Sequence, residues 1–182
     1  LVIVGPENLL SEGISDYFQK KNVPCFGPTK HCAQIETSKI YSKNLMNELG
    51  IPTAKHIVTK GTLTKDQWSK YPVIKKDGLE GGKGVFLPKT FQEAVQITSD
   101  IKEPYILEEK LVGQEVTVMA FTDGKSVSIM PPVKDYKRLN NRNKGPNTGS
   151  MGSYCPATFS YMSEVKDILL DILGYYKNEV NL

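Results

Sequence analysis

Val73-Ile74-Lys75-Lys76-Asp77-Gly78-Leu79-Glu80-Gly81-Gly82-Lys83-Gly84-Val85 is the stretch on which the fold turns. An apolar run ends in two lysines. A loop with four glycines and a third lysine follows, and Val85-Phe86-Leu87 is a second apolar run. The pattern reads as strand, flexible turn, strand. Glycine lets a backbone approach a ligand closely and take up positive φ, and successive N–H groups in such a turn can surround an anion. Lys75 and Lys83 supply point charges suited to phosphate. By itself the loop is equally a β-hairpin with a glycine-rich turn and solvated lysines, which is the commoner arrangement. The familiar phosphate motifs do not decide between these readings. The P-loop pattern G-x-x-x-x-G-K-S/T fails, because only Leu79 to Gly81 separate Gly78 from Gly82, and Gly84 stands where the hydroxyl belongs. The dinucleotide fingerprint fails because a strand, not a helix, follows the loop.

Outward from this loop, the opening of the chain has a different character. Leu1-Val2-Ile3-Val4 is a continuous apolar run of the buried parallel type. Leu9 to Lys21 carries a helical period through Leu10, Ile14 and Phe18, and Val23 to Gly27 reads as the next strand. Strand, helix, strand implies parallel pairing. Ligands of such sheets sit at the carboxyl ends of strands, where Gly5-Pro6-Glu7 lies. A carboxylate at Glu7 can accept two ribose hydroxyls; it can equally favour the positive end of the following helix. Thr29 to Leu49 predicts one or two helices, with N-cap residues in Thr37-Ser38-Lys39 and a C′ glycine at Gly50. Lys39, alone, reads as solvated or ligand-facing.

Beyond Ala54 the chain becomes rich in antiparallel strands. Ala54–Thr59, Val73–Lys76, Val85–Leu87, Tyr105–Leu107, Val116–Phe121 and Ser126–Met130 read as strands, and 64–71 and 90–97 as short helices. Thr122 to Lys125 is a tight turn. Asn140 to Gly152 is polar and glycine-rich and reads as a long loop. Met162 to Tyr176 is a helix with Val165, Ile168, Leu169, Ile172 and Leu173 on one stripe.

Composition narrows the function classes. The 182 residues allow one or two domains. The 23 basic residues nearly balance the 20 acidic ones, so a net +3 without clustering does not point to nucleic acid. No apolar run approaches the roughly 18 residues of a membrane span, and the start has no signal-peptide pattern. Cys25, Cys32 and Cys155 are odd in number and lack C-x-x-C spacing, which favours buried thiols in a reducing compartment over a disulfide framework or zinc. His31 and His56 are too far apart in sequence to suggest a metal pair. Leu1 opens inside an apolar run without Met, which suggests a piece of a longer chain.

Taken together, Val4-Gly5-Pro6-Glu7, Cys25-Phe26-Gly27-Pro28-Thr29, Ile51-Pro52-Thr53-Ala54, Lys75 through Gly84, Asp135-Tyr136-Lys137-Arg138 and Gly145-Pro146-Asn147-Thr148-Gly149-Ser150-Met151-Gly152 resemble, in that order, the phosphoribosylamine–glycine ligase family of ATP-grasp enzymes. The last stretch is the most specific; the glycine loop alone indicates only ATP-grasp. The resemblance implies an α/β (α+β) fold: residues 1–34 as the end of a Rossmann-like pre-ATP-grasp domain, and 35–182 as an ATP-grasp domain, truncated at its end, with a lid near 53–112. It implies that ATP phosphorylates glycine and that the amine of 5-phosphoribosylamine attacks the acyl phosphate, giving glycinamide ribonucleotide, ADP and phosphate in purine biosynthesis. Lys39 and Lys75 match lysines facing the ATP phosphates, and Gly78, Gly81, Gly82, Lys83 and Gly84 the loop closing over them. Glu108, Glu109 and Leu111 match the adenine-reading segment, and Glu115 the carboxylate for the ribose hydroxyls. Gly5, Pro6 and Glu7 resemble the phosphoribosylamine contact. Asp135, Lys137 and Arg138, with Asn147, Thr148 and Gly149, resemble the glycine and ribonucleotide side. Lys75, Asp135 and Arg138 are the catalytic candidates.

The resemblance further implies magnesium, with its ligands expected after Leu182 and none nameable here, a cytoplasmic setting and possible fusion to other purine-pathway domains. The family usually has alanine at the positions of Lys76, Glu80 and Gly81, and glycine at Ser150, where serine would cost about 1 kcal/mol if φ must be positive. The stretch between Ala94 and Tyr105 is shorter than usual. Two rival readings remain at this point. One is a non-catalytic nucleotide-binding module; the other is an ATP-grasp carboxylate–amine ligase with a different acceptor.

Overall fold

The structure, a computed structural model, describes residues 1–142 and 144–177. The expected ATP-grasp segment at 178–182, and the Asn140–Gly152 stretch at Asn143, fall outside the described residues. The described chain divides into two units, Leu1–Leu111 and Val112–Leu182.

In the first unit, β1 (Val2–Ile3) is followed by α1 (Glu7–Glu12), α2 (Ile14–Lys20) and β2 (Cys25–Phe26). β1 and β2 pair in parallel, Val2 opposite Cys25, as strand–helix–strand requires. The single helix predicted over Leu9–Lys21 is two helices. Gly13 sits in the left-handed region at φ +92, and its N–H closes α1 onto Leu10. Glycine occupies that conformation without the Cβ clash, so the break costs little and leaves the apolar period on either side intact.

α3 (Gln34–Thr37) and α4 (Lys39–Glu48) follow. Ser38 caps α4, its hydroxyl accepting from Tyr41 N. Leu49 is the C-cap, and Gly50 lies beyond it at φ +67.

The sheet of the first unit comprises β3 (His56–Thr59), β4 (Val73–Lys76), β5 (Val85–Phe86) and β6 (Tyr105–Glu108), with α5 (Lys65–Lys70) and α6 (Phe91–Ser99) between strands. The strand order is β3-β6-β4-β5, all antiparallel. Successive side chains of a strand point to opposite faces. On one face Ile74, Tyr105 and Leu107 join Leu63, Ala94 and Ile101 in a core, against which Trp68 of α5 and Phe91 and Ile97 of α6 pack. The other face of the same strands carries Lys75, Ile106 and Glu108. α5 begins in a capping box: Thr64 Oγ1 accepts from Gln67 N, and Gln67 Oε1 accepts from Thr64 N. Thr64→Ala should lower stability by about 0.5–2 kcal/mol. The check is a denaturant melt of both proteins; an unchanged midpoint would refute it.

The second unit contains β7 (Ala120–Thr122), β8 (Val127–Ile129), β9 (Lys134–Asp135), β10 (Arg138–Asn140), β11 (Lys144–Asn147), β12 (Ser153–Tyr154) and α7 (Met162–Tyr175). Three two-stranded antiparallel pairs form: β7 with β8, β10 with β11, and β12 with β9. The β7–β8 turn is an Asx turn. Asp123 Oδ1 accepts from Ser126 N, Lys125 N and Ser126 Oγ, and these bonds pull its carboxyl down to about 2. Within the stretch predicted as a long loop, Asn140 and Lys144–Asn147 are instead paired strand. Arg138 pairs with Asn147 and Asn140 with Lys144 across an irregular register. Ser150 does not take up positive φ, so the strain considered for it does not arise. On α7 the stripe of Val165, Ile168, Leu169, Ile172 and Leu173 is half-buried while Lys166 and Asp167 are exposed, as its period predicts. Among the described residues no helix is long and apolar enough to cross a membrane.

Candidate functional site

The register between β4 and β6 places Lys75 opposite Ile106 and Val73 opposite Glu108. Lys75 and Glu108 are therefore diagonal neighbours on one face, a separation that long side chains span. They form an ion pair through Glu108 Oε2. The other oxygen, Oε1, is 2.8 Å from Lys43 Nζ, which reaches it from α4. Lys43 also donates to Thr53 Oγ1 at 2.6 Å and to Ala54 O at 3.3 Å. Lys43 and Glu108 are both buried. Burial pushes the Glu108 carboxyl up, but hydrogen bonds and charge from Lys43 and Lys75 outweigh it and hold the group below its ordinary value.

Lys43, Thr53, Lys75 and Glu108 line a cleft of about 590 Å³, together with the glycine-rich loop at Gly78 to Gly82. Lys39, the first residue of α4, lines it one helical turn before Lys43. Glu7, the first residue of α1, lines it too. The loop is tied to α4 at its base. Asp77 accepts from Ser38 Oγ and from Ile40 N, placing a carboxylate at the positive end of the helix. Lys39 Nζ donates to Gly78 O at 2.7 Å. Gly81 and Gly82 lie at φ +56 and +78, consecutive left-handed residues that a side chain would strain. Glycine at 81, where the resemblance expects alanine, suits that backbone. Lys76, another of the departures, ends β4 and lies over the Phe86 ring.

The structure thus brings Glu7, Lys39, Lys75, Gly78, Gly81, Gly82 and Glu108 to one cleft. Lys83 and Gly84 follow in the loop but are outside its lining. Gly5 and Pro6 are exposed ahead of Glu7. Glu109 is outside the cleft lining, and its Oε1 accepts from Lys55 N. Leu111 is exposed.

The remaining candidates lie in the second unit. Thr148 donates both its N–H and its hydroxyl to Lys137 O. Arg138 Nη1 donates to Gly145 O. Lys137 Nζ is 3.5 Å from Glu115, an exposed pair of little energy. Asp135 pairs with Ser153 in the β9–β12 ladder, and Gly149 follows Thr148.

Sequence reasoning missed Lys43 and Asp77. The signal for Lys43 was its spacing: four residues after Lys39 it must share that residue's helix face. Asp77 reads from sequence as a turn residue, and nothing local shows that it serves the helix at 39.

Chemically, the cleft is lined by the ammonium groups of Lys39, Lys43 and Lys75 and by the carboxylates of Glu7, Glu36, Glu80 and Glu108, beside a loop whose backbone takes up left-handed conformations. Lys43 is spent on Glu108, so Lys39 and Lys75, with the loop N–H groups, are what the cleft can offer an anion. Among the described residues no three His, Cys, Asp or Glu side chains converge to hold a metal ion.

Comparison with known proteins gives the same reading over nearly the whole chain. A profile for the phosphoribosylglycinamide synthetase N domain matches residues 1–36, and one for the ATP-grasp (A) domain of the same synthetase matches residues 37–180. A trifunctional purine biosynthetic protein adenosine-3 of Drosophila melanogaster is 45% identical over 170 residues, covering 86% of this chain and 13% of the relative. A phosphoribosylamine–glycine ligase of a Nostoc species is 44% identical over 169 residues, covering 86% of this chain and 40% of the relative. The crystal structure of a phosphoribosylamine–glycine ligase from Thermotoga maritima superposes with a TM-score of 0.76 at 30% identity, over 97% of this chain and 47% of that one. The chain spans less than half the length of each of these relatives.

Proposed function

The chain belongs to the phosphoribosylglycinamide synthetase family, and from that premise we propose that it forms the nucleotide-holding part of an ATP-dependent ligase. The reaction is ligation of glycine to 5-phosphoribosylamine through glycyl phosphate, giving glycinamide ribonucleotide, ADP and phosphate in purine biosynthesis. The observation that carries this reading is the convergence of Lys39, Lys75 and the glycine-rich loop on one cleft.

In this reading Lys39 and Lys75 neutralise the phosphates, and N–H groups of Gly78 to Gly84, with Lys83, close over them. No covalent nucleophile is required. Rate comes from holding reactants together and from charges already in place where phosphoryl charge moves. A closed loop also keeps water from an acyl phosphate. Glu108, Glu109 and Leu111 serve the adenine end, and Glu115 the ribose hydroxyls. Gly5, Pro6 and Glu7 serve phosphoribosylamine. Asp135, Lys137, Arg138, Asn147, Thr148 and Gly149 serve glycine and the ribonucleotide product. The proposal places the enzyme in the cytoplasm, in some organisms fused to other purine-pathway activities, as the name of the trifunctional relative suggests. Magnesium belongs to the proposal for the whole protein; among the described residues no three His, Cys, Asp or Glu side chains converge to hold it.

ATP titrated into the intact protein by calorimetry tests the reading. Lys75→Ala and Lys39→Ala should each weaken binding about tenfold or more, the loss of a charge-assisted contact. A folded wild-type protein that takes no ATP, or lysine variants that bind as tightly as wild type, would overturn it.

A further inference from the structure

Resting on the nucleotide reading above, we propose that Lys43 is a positioning residue: it keeps Glu108 neutralised while Lys75 leaves that carboxylate for the phosphates of a bound nucleoside triphosphate.

The two lysines on Glu108 are not equivalent. An ammonium has three donors, and Lys43 uses all of them, on Glu108 Oε1, Thr53 Oγ1 and Ala54 O. Its side chain is 9% exposed. Lys75 meets Glu108 Oε2, is 27% exposed at the side chain, and lines the open cleft. One cation is built in, and the other is free to turn towards an anion.

The arrangement answers a difficulty that the site would otherwise have. A lysine that pairs with a buried carboxylate cannot also serve a phosphate without leaving that carboxylate uncompensated, which is strongly unfavourable. With Lys43 fixed on the other oxygen, Glu108 keeps one opposite charge after Lys75 turns away. Without Lys43, Lys75 would be the sole partner of Glu108 and would be held back from the ligand. Thr53 and Ala54 O, from the stretch before β3, hold Lys43 whether or not Lys75 is present.

The test is calorimetric titration of ATP into the intact protein as wild type, Lys43→Met, Glu108→Gln and the double variant, with thermal unfolding of each. Lys43→Met should weaken ATP binding about tenfold or more. Adding Glu108→Gln to it should restore affinity to within about threefold of Glu108→Gln alone, because a neutral amide no longer restrains Lys75. A lysine that only packed α4 against the sheet would give no such recovery. Wild-type affinity in Lys43→Met, or a double variant as weak as Lys43→Met, overturns the proposal. If Lys43→Met does not fold, Thr53→Val, which removes one acceptor from the lysine, should still weaken ATP binding; unchanged affinity there also overturns it. Failure of the nucleotide reading itself is distinguishable, because it would appear in the wild-type titration.

Discussion

Glu108→Ala should destabilise the protein by about 3–5 kcal/mol, because it leaves the buried Lys43 ammonium without its opposite charge. Few single changes here should cost more. The Lys43–Glu108 pair need not stabilise the fold by that amount; the penalty is that of one buried ion left alone. Replacing both partners, as Lys43→Met with Glu108→Leu, should therefore recover much of the loss. Denaturant midpoints of wild type, Glu108→Ala and the double variant decide the matter, and a double variant no more stable than Glu108→Ala would show that packing, not charge, is responsible. The same group predicts a pH dependence. Its folded pKa is depressed, so its contribution is present above its ordinary value near 4.5 and disappears as pH falls through the lower folded value. Wild type should thus lose stability as pH falls from about 4.5 through the lower folded value, and Glu108→Gln should show a flatter acid limb.

Much of the scaffold was legible because local pattern and tertiary need coincide. The apolar runs at Val2 and Cys25 with a helical period between them predict parallel neighbours, and the two strands pair so, although Ile3 and Phe26 stay exposed rather than buried as the apolar run implied. The cap at Ser38 and the apolar stripe of α7 follow from residue types at fixed spacings. The Asn140–Gly152 stretch was not legible as a hairpin. All four residues of β11 are exposed, so no apolar alternation marks them as a strand. Their pairing is visible only once Arg138 and Asn147 are opposite each other.

The candidate site divides along a similar line. Glycines and lysines in order along 75–84 mark the loop, and the family resemblance supplies the remaining roles. The spacing from Lys39 puts Lys43 on the same helix face, but its pairing with Glu108 was unreadable because that partner lies 65 residues away. A lysine on an amphipathic helix reads as part of a solvated face until a buried carboxylate is placed beside it. The reverse holds for Glu108, which the resemblance assigns to adenine but which this structure engages with two lysines. If it does serve adenine, it does so as a carboxylate already neutralised, and an acceptor held in that way keeps its orientation without carrying a bare charge into the cleft.

Leu107→Ala should cost about 2–5 kcal/mol, the range for removing a fully buried branched side chain where the surroundings relax only in part. Leu107 lies in the central strand of the four-stranded sheet, paired with Ile57 on one side and Ile74 on the other. It packs in the core with Tyr105, which is itself wholly buried. Its chain neighbour Glu108 points to the opposite face and holds Lys75 and Lys43. One strand thus supports the core on one side and the ion cluster on the other, so a cavity behind Leu107 loosens the backbone that aims Glu108. The expected result is a lower denaturant midpoint together with weaker ATP binding at temperatures where the variant is still folded. Ile74→Val, one methylene smaller at the neighbouring buried position beside Lys75, should cost only about 0.5–1.5 kcal/mol and leave ATP affinity close to wild type. Equal losses of affinity in the two variants would mean that the core does not grade the geometry of the cleft, and that Lys75 and Glu108 are positioned by their own ion pairs.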